Sequence, residues 1–182
     1  MSILWTENVP DIKDARLRVL FEYWLSKAML PKVALRRDID PVDVPSVLPY
    51  IWLYRFEPET NRFICHLMGE SARERFSTHV KGRYLDELLP EAENNEVSEH
   101  YHLLLERPAI GYTYGRVYGD RRGTGERILL PLAPDVDAAP TFVLGATRYV
   151  WDISSTEQLP DVVRYSVSLD RLAEVRRAAG DV

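Results

Sequence analysis

The side chains in this sequence that could perform chemistry are few, and their spacing argues against most reactions. His100 and His102 are two positions apart; on a helix this spacing separates the rings by about 200°, so they do not converge on one metal ion. Cys65 is the single cysteine, which excludes intramolecular disulfides and multi-cysteine metal sites. No serine lies in a Gly-x-Ser-x-Gly motif, and 123–125 lacks the Lys-Ser/Thr pair of a phosphate-binding loop. We therefore predict a protein that is not an enzyme and holds no metal ion.

A group of tyrosines with an arginine is the best candidate for binding a small molecule. In a strand predicted over 110–118, alternation places Tyr112, Tyr114 and Arg116 on one face. These side chains could line a pocket for an aromatic or anionic metabolite, or the tyrosines could pack against the first helix. The opposite face suits a tightly packed neighbour or a ligand, since its residues are small: Gly111, Thr113, Gly115 and Val117. The other predicted ligand-binding residues are His100, Tyr101 and Cys65.

Helices and strands in a definite order must position these residues. Helices are predicted over 11–29, 70–76, 85–89, 96–106 and 169–179, and strands over 50–56, 62–68, 110–118, 126–133, 141–149 and 162–167. Asp11 and Asn95 are the predicted N-caps of the two longer helices, and Leu30-Pro31 ends the first. Pro131 lies inside a predicted strand, where it should remove a hydrogen bond of the sheet.

The first helix carries two apolar stripes, so it has two surfaces to bury. The narrower stripe contains Ile12, Val19 and Tyr23. Both stripes can pack within one chain, or one of them can meet a second copy of the protein. For the second arrangement we predict a homodimer whose interface contains residues of the broader stripe: Leu17, Leu20, Phe21, Trp24 and Ala28.

Length and composition describe an ordinary globular domain with added helices. The chain has 182 residues, of which 46% are hydrophobic and 28% charged, close to average globular usage. A net charge of −5 gives no overall attraction to nucleic acid. No apolar run approaches the roughly twenty residues that cross a membrane, and the N-terminus lacks the pattern of an export signal. Together with the single cysteine, this predicts a cytoplasmic protein with no nucleic-acid or membrane partner.

Several short motifs, in this order, resemble those of PAS domains. Leu67-Met68-Gly69-Glu70, Arg75-Phe76 and the segment 80–88 are similar to the strand, glycine, helix and Gly-Arg segment of that superfamily. Within it, the chain looks most like small standalone bacterial PAS-like proteins. That likeness rests on Trp24, on Leu30-Pro31 and on the segment 38–43, Asp-Ile-Asp-Pro-Val-Asp. The resemblance covers about residues 15–150.

The resemblance implies an α+β protein with the PAS fold. Its five-stranded antiparallel sheet would have the order 2-1-5-4-3, with short helices on one face and a cavity between them. We expect an N-terminal helix and connector at 1–48, the PAS core at 49–150, and an appended C-terminal extension with a helix at 151–182. Many PAS domains hold a ligand in the cavity and dimerise through an N-terminal helix. Haem-binding members use a histidine on the helix before the third strand, so His100 is the one candidate cofactor ligand and haem the one alternative to no cofactor.

In function, the resemblance implies a non-catalytic sensory or protein-interaction module in signalling. Its signal would pass to a partner protein by association. One alternative is a small α+β cone enzyme similar to ketosteroid isomerase, which needs an acidic or histidine base facing the pocket. A second alternative is a structural adaptor whose cavity is filled by side chains.

Overall fold

The computed structural model describes residues 3–76, 78–117, 123–151 and 161–179. Within these ranges the α-helices are α1 (Ala15–Lys27), α2 (Glu70–Arg73), α3 (Glu91–Glu106) and α4 (Leu169–Ala179). The strands are β1 (Leu4–Trp5), β2 (Ala34–Leu35), β3 (Ile51–Glu57), β4 (Arg62–Met68), β5 (Ala109–Val117), β6 (Gly123–Ala133), β7 (Phe142–Trp151) and β8 (Val163–Ser168). Single 3₁₀ turns lie at Arg36–Asp38, Pro41–Asp43, Leu48–Tyr50 and Leu85–Glu87. The α+β class is therefore confirmed. Position 118, the predicted end of the β5 strand, lies outside the described residues.

The strands form one sheet that is larger than predicted. The central order β4-β3-β7-β6-β5 is antiparallel throughout and is the predicted order 2-1-5-4-3. β8 then pairs antiparallel with β5, β1 pairs parallel with β8, and β2 joins the end of β6. The sheet of the described residues therefore has eight strands rather than five. The C-terminal extension is not an appendage, because β8 covers the edge that β5 would otherwise leave open.

Both faces of the sheet are buried. Alternation sends Ile51 and Leu53 of β3 to one face and Trp52 and Tyr54 to the other. The first, here called the outer face, packs against α1 and α4. The second, the inner face, packs against α2, α3 and the turn at Leu85–Glu87. No helix in the described ranges is long and apolar enough to cross a membrane.

A buried carboxylate sets the start of α1. Glu126 of β6 accepts hydrogen bonds from the backbone N–H groups of Lys13 and Asp14, at 2.6 and 2.9 Å. These bonds hold the chain in a non-helical conformation before Ala15, so Asp11 is not the N-cap. Asp14 takes that role, since its side chain accepts from the Arg16 N–H. The Arg16 guanidinium also bonds the Asp14 carboxylate and lowers its pKa.

The broad stripe of α1 is covered within the chain. Leu17, Leu20 and Trp24 are 0% exposed and Phe21 is 9% exposed, all packed on the outer face of the sheet. Ala28 follows the end of α1 and packs against the same cluster. The predicted dimer interface is therefore wrong in its residues, because four of the five are buried within the chain and Ala28 is partly buried against the same cluster. Homodimerisation itself stays a prediction.

The conformation around Pro131 explains how a proline fits inside β6. The Trp24 indole N–H donates to the Pro131 carbonyl at 3.0 Å, and in an extended strand the N and C=O of one residue point to the same side. The missing N–H therefore faces Trp24 rather than β7. On that side the pairing with β5 ends at Leu129, and the pairing with β2 begins at Leu132. Pro131 removes no hydrogen bond from the sheet.

The free edge of β4 is partly covered by the segment that follows α2. Gly82 N–H donates to the Cys65 carbonyl at 2.7 Å, and Cys65 N–H donates to the Arg83 carbonyl at 2.9 Å. An isolated bridge pairs Ile64 with Tyr84 next to these bonds. The 82–84 segment thus occupies backbone groups of β4 that would otherwise be unpaired.

Replacing Trp24 with phenylalanine should lower the free energy of unfolding by about 2 kcal/mol. The Pro131 carbonyl would lose its donor while buried, and the smaller ring would leave unfilled volume. Urea unfolding followed by circular dichroism measures the change. The control Trp5→Phe, at a tryptophan that is 44% exposed, should change the value by less than about 0.5 kcal/mol. Equal effects of the two substitutions would contradict the role given to Trp24.

Candidate functional site

A cavity of about 350 Å³ lies between the first turns of α3 and the inner face of β5, β6 and β8. Thr113, Gly115 and Val117 of β5 form part of its sheet wall, and Ala92 and Val97 belong to its helix wall. The small-residue face of β5 therefore faces α3 and lines a cavity, one of the two outcomes that its composition suited.

The cavity lies under the first turns of α3 because the second half of the helix packs directly on the sheet. A Cβ atom on Gly111 would be 3.1 Å from His100 Nε2 and 3.0 Å from Leu104 Cδ1, so a side chain here would push these two residues, and with them the helix, away from the sheet by a small distance. The first turns of α3 lie above the Thr113–Gly115 region instead, with the cavity between.

Sequence patterns missed the start of α3, where the helix wall of the cavity lies. The helix begins at Glu91 after Pro90, not at 96, so Asn95 is not its N-cap. The polar first turn has no apolar periodicity to reveal it, and a proline is compatible with a helix start.

One ion pair closes the side of the cavity next to α2. Both terminal nitrogens of Arg75 bond the two carboxylate oxygens of Glu93, at 2.7 and 2.8 Å. Burial opposes the charge on Arg75, but the hydrogen bonds to Glu93 outweigh it and raise the pKa of the guanidinium. This bidentate pairing provides hydrogen bonds to both terminal nitrogens of Arg75 and to both carboxylate oxygens of Glu93.

A second ion pair, at the β8 side, is incomplete. Arg164 Nη2 lies 2.8 Å from Glu96 Oε2, while Arg164 Nη1 is buried and finds no hydrogen-bond partner within the described ranges. Arg127 of β6 lies between the two pairs and donates from Nε to Thr147 Oγ1 at 3.0 Å. Arg116 also lines the cavity and pairs with Asp161. The cavity wall is thus rich in guanidinium groups.

A family model described as a PAS domain matches residues 12–147, well over half of the chain. The chain belongs to the PAS domain family. Comparisons with curated proteins and with solved structures give no match. The matched range ends before β8, so Arg164 lies outside the part that the family model covers.

Two of the predicted ligand-binding residues lie on the wrong face of this PAS domain. Tyr112 and Tyr114 belong to the outer face. The Tyr112 hydroxyl donates to Glu126 Oε1 at 3.0 Å, and the Lys13 ammonium lies 4.1 Å from the centre of the Tyr114 ring. They pack beside the start of α1 and do not line the cavity. Arg116 is the one member of the alternating set that does.

Tyr101 and Cys65 belong to an aromatic cluster on the inner face of the PAS sheet. Tyr101 stacks on Trp52 with 5.6 Å between ring centroids, and its edge contacts Phe63. It lines a neighbouring void of only about 30 Å³. Cys65 lines neither cavity, and burial raises the pKa of its thiol to about 11. A thiol of this kind is a packing group rather than a nucleophile.

His100 is placed where it cannot serve as the predicted haem ligand of the PAS cavity. Its Nε2 lies 3.2 Å from Ser166 Oγ, beneath Gly111, and its ring does not line the cavity. Burial, together with the positive charges of Arg164 and Arg127, lowers the pKa of His100 to about 3. The residues present therefore do not fit haem ligation through His100. Within the described ranges, no three His, Cys, Asp or Glu side chains could together hold a metal ion.

The charged residues of the cavity were not predicted as a site, although the sequence contains a signal for some of them. Arg127 falls within the strand predicted over 126–133 and Arg164 within the strand predicted over 162–167, and both belong to a sheet whose two faces are buried. A charge at such a position needs a buried partner or a polar cavity, so it marks a candidate site. Glu93 and Glu96 gave no comparable signal, because helix surfaces commonly carry glutamate.

The free energy of unfolding should fall as the pH drops from about 6.5 towards about 3, because the folded chain excludes a proton that the unfolded chain binds at His100. Folding lowers the pKa of His100. The neutral imidazole therefore contributes its full stabilisation above the pKa that histidine has in the unfolded chain, and this contribution is lost as the pH falls towards the folded pKa. One such group contributes at most about 1.4 kcal/mol per pH unit.

Urea unfolding between about pH 7 and about pH 5 tests this, since it covers the window in which unfolded histidine titrates. His100→Gln should show a shallower pH dependence than the wild type. Ser166→Ala, which removes the hydrogen bond and keeps the imidazole, should retain the wild-type slope. Identical slopes for wild type and His100→Gln would contradict the assignment.

Proposed function

We propose that this PAS domain is a non-catalytic sensory module that binds a small molecule in the cavity beneath α3 and passes on its state by associating with another protein. The observation that carries the proposal is the cavity of about 350 Å³, which the described side chains leave open between helix and sheet. Its volume lies at the lower end of the roughly 300–1,000 Å³ typical of ligand sites. An open cavity favours ligand binding over an adaptor filled by side chains.

The walls of the cavity connect it to parts of the molecule that can report occupancy. Glu93 and Glu96 both lie on α3, but their arginine partners come from different places. Arg75 follows α2, whereas Arg164 lies on β8, near the edge of the sheet. A ligand that contacts either ion pair favours some positions of α3 relative to β8, or to the segment after α2, over others. Binding shifts a conformational equilibrium in this way.

Catalysis is the weaker alternative, although two carboxylates face the cavity. An isomerase-like enzyme needs a free base beside the substrate. Glu93 is held by both terminal nitrogens of Arg75, and Glu96 accepts from Arg164. Because both carboxylates are bonded to arginines, neither is a free base, and their role is to hold the arginine side chains in place.

We also propose that the protein works in the cytoplasm. The buried free thiol of Cys65 is compatible with that reducing compartment.

Filling the cavity should abolish ligand binding without unfolding the protein. Ala92 is exposed on the first turn of α3 and lines the cavity, so Ala92→Trp should place an indole in it. Asn95→Trp, on the same helix but outside the cavity wall, is the matched control. Native and denatured mass spectra of the purified proteins, followed by a thermal-shift screen of small metabolites, give the readout.

We expect a bound mass, or a metabolite that raises Tm, in wild type and Asn95→Trp but not in Ala92→Trp. A ligand present at about 100 times its Kd adds roughly 2.7 kcal/mol of stability, which is several degrees for a domain of this size. Wild-type protein that shows neither a bound mass nor a stabilising metabolite would contradict the proposal.

A further inference from the structure

We infer that the cavity recognises a monocarboxylate with an apolar body, and that Arg164 receives its carboxylate. The inference rests on the proposed function and names the class of ligand for the same cavity. It is carried by one buried, incompletely bonded guanidinium, by the charge balance around it and by the apolar part of the wall.

Arg164 has an unused hydrogen-bond donor inside the protein. The residue is only 8% exposed and lines the cavity. Its Nη2 bonds Glu96, whereas Nη1 is buried and has no hydrogen-bond partner among the described residues. Buried polar atoms are almost always satisfied by protein or by another bound group. A carboxylate oxygen accepts strongly from a charged donor of this kind. Because Nη1 is shielded from the cavity in this structure, the Arg164 side chain must move away from Glu96 to offer it to a ligand.

The charges around the cavity do not cancel among the described residues. Its arginines and their acidic partners are Arg75, Arg116, Arg127, Arg164, Glu93, Glu96 and Asp161. Arg75 is fully used by Glu93, and Arg127 has no carboxylate partner within the described ranges. Counted over the described residues alone, one positive charge is therefore in excess. A ligand with a single negative charge neutralises it, whereas a phosphate dianion would leave an excess negative charge.

The rest of the wall determines the body of the ligand. Apolar side chains line it on both the helix and the sheet side: Pro90, Ala92, Val97, Val117 and Val162. Gly115 and Gly125 lie between them and add no side chain. A short alkyl chain or a single aromatic ring would bury its surface there, and either fits a volume of about 350 Å³.

The first test compares acids with their uncharged amides in the wild-type protein. Hexanoate and benzoate are titrated by calorimetry against hexanamide and benzamide, and inorganic phosphate is the competing anion. We expect the acids to bind about tenfold more tightly than the amides, because only they accept a charge-assisted bond from Arg164. Phosphate should not displace them. This comparison needs no variant, so it holds even where a substitution prevents folding.

Two substitutions should then move the affinity in opposite directions. Arg164→Gln removes the receiving group and should weaken acid binding about tenfold or more, with the amides unchanged. Glu96→Gln removes the competing carboxylate and should strengthen acid binding about threefold or more. Arg73→Gln, at an exposed arginine outside the cavity wall, is the control and should behave as wild type. An unchanged or weaker acid affinity in Glu96→Gln would overturn the charge argument.

The outcomes separate this inference from the function on which it rests. Equal binding of acids and amides, or a copurified neutral ligand that Ala92→Trp abolishes, leaves a ligand-binding module and overturns the carboxylate. Preferential binding of phosphate overturns the single negative charge. Acid binding that survives in Ala92→Trp lies outside the cavity and also overturns the inference. Wild type that binds neither acid nor amide, and carries no other ligand, overturns both proposals.

Discussion

The close contact between α3 and the sheet at Gly111 is the constraint from which the site follows. His100 and Leu104 lie so near that a Cβ atom on that residue would be only 3.0–3.1 Å from them. A helix is a stiff rod on this length scale, so fixing its second half against β5 determines the height of its first turns above the sheet. Glu93 and Glu96 bridge the resulting gap to arginines on neighbouring elements. Contact at one end and ion pairs at the other create the cavity.

The two arginine–glutamate pairs differ in what they contribute. Burying a guanidinium in an apolar wall is unfavourable unless its hydrogen bonds are replaced. Arg75 achieves this replacement within the protein, because both of its terminal nitrogens bond the same carboxylate. Arg164 achieves only part of it. An unsatisfied buried donor lowers the stability of the free protein, a feature typical of positions that serve function rather than folding.

Sequence patterns predicted the central sheet well and the site poorly, for a physical reason. Apolar alternation reports burial, so it located β3 to β7, and the family resemblance supplied their order. Alternation also showed that Tyr112 and Tyr114 share a face, but both faces of this sheet are buried, so it could not show which one lies under α3. β8 was too short and mixed in polarity to be assigned to the sheet. Arg164, on β8, was missed for that reason.

The two ends of the sheet restrict how another protein can bind. At one end, the 82–84 segment bonds to the outer strand β4. At the other, β1 covers β8 but is only two residues long. Extended, unpaired edges are what strand addition and edge-to-edge aggregation require. A binding partner would find little free backbone to continue the sheet, so recognition must use side chains on a helical face or a loop.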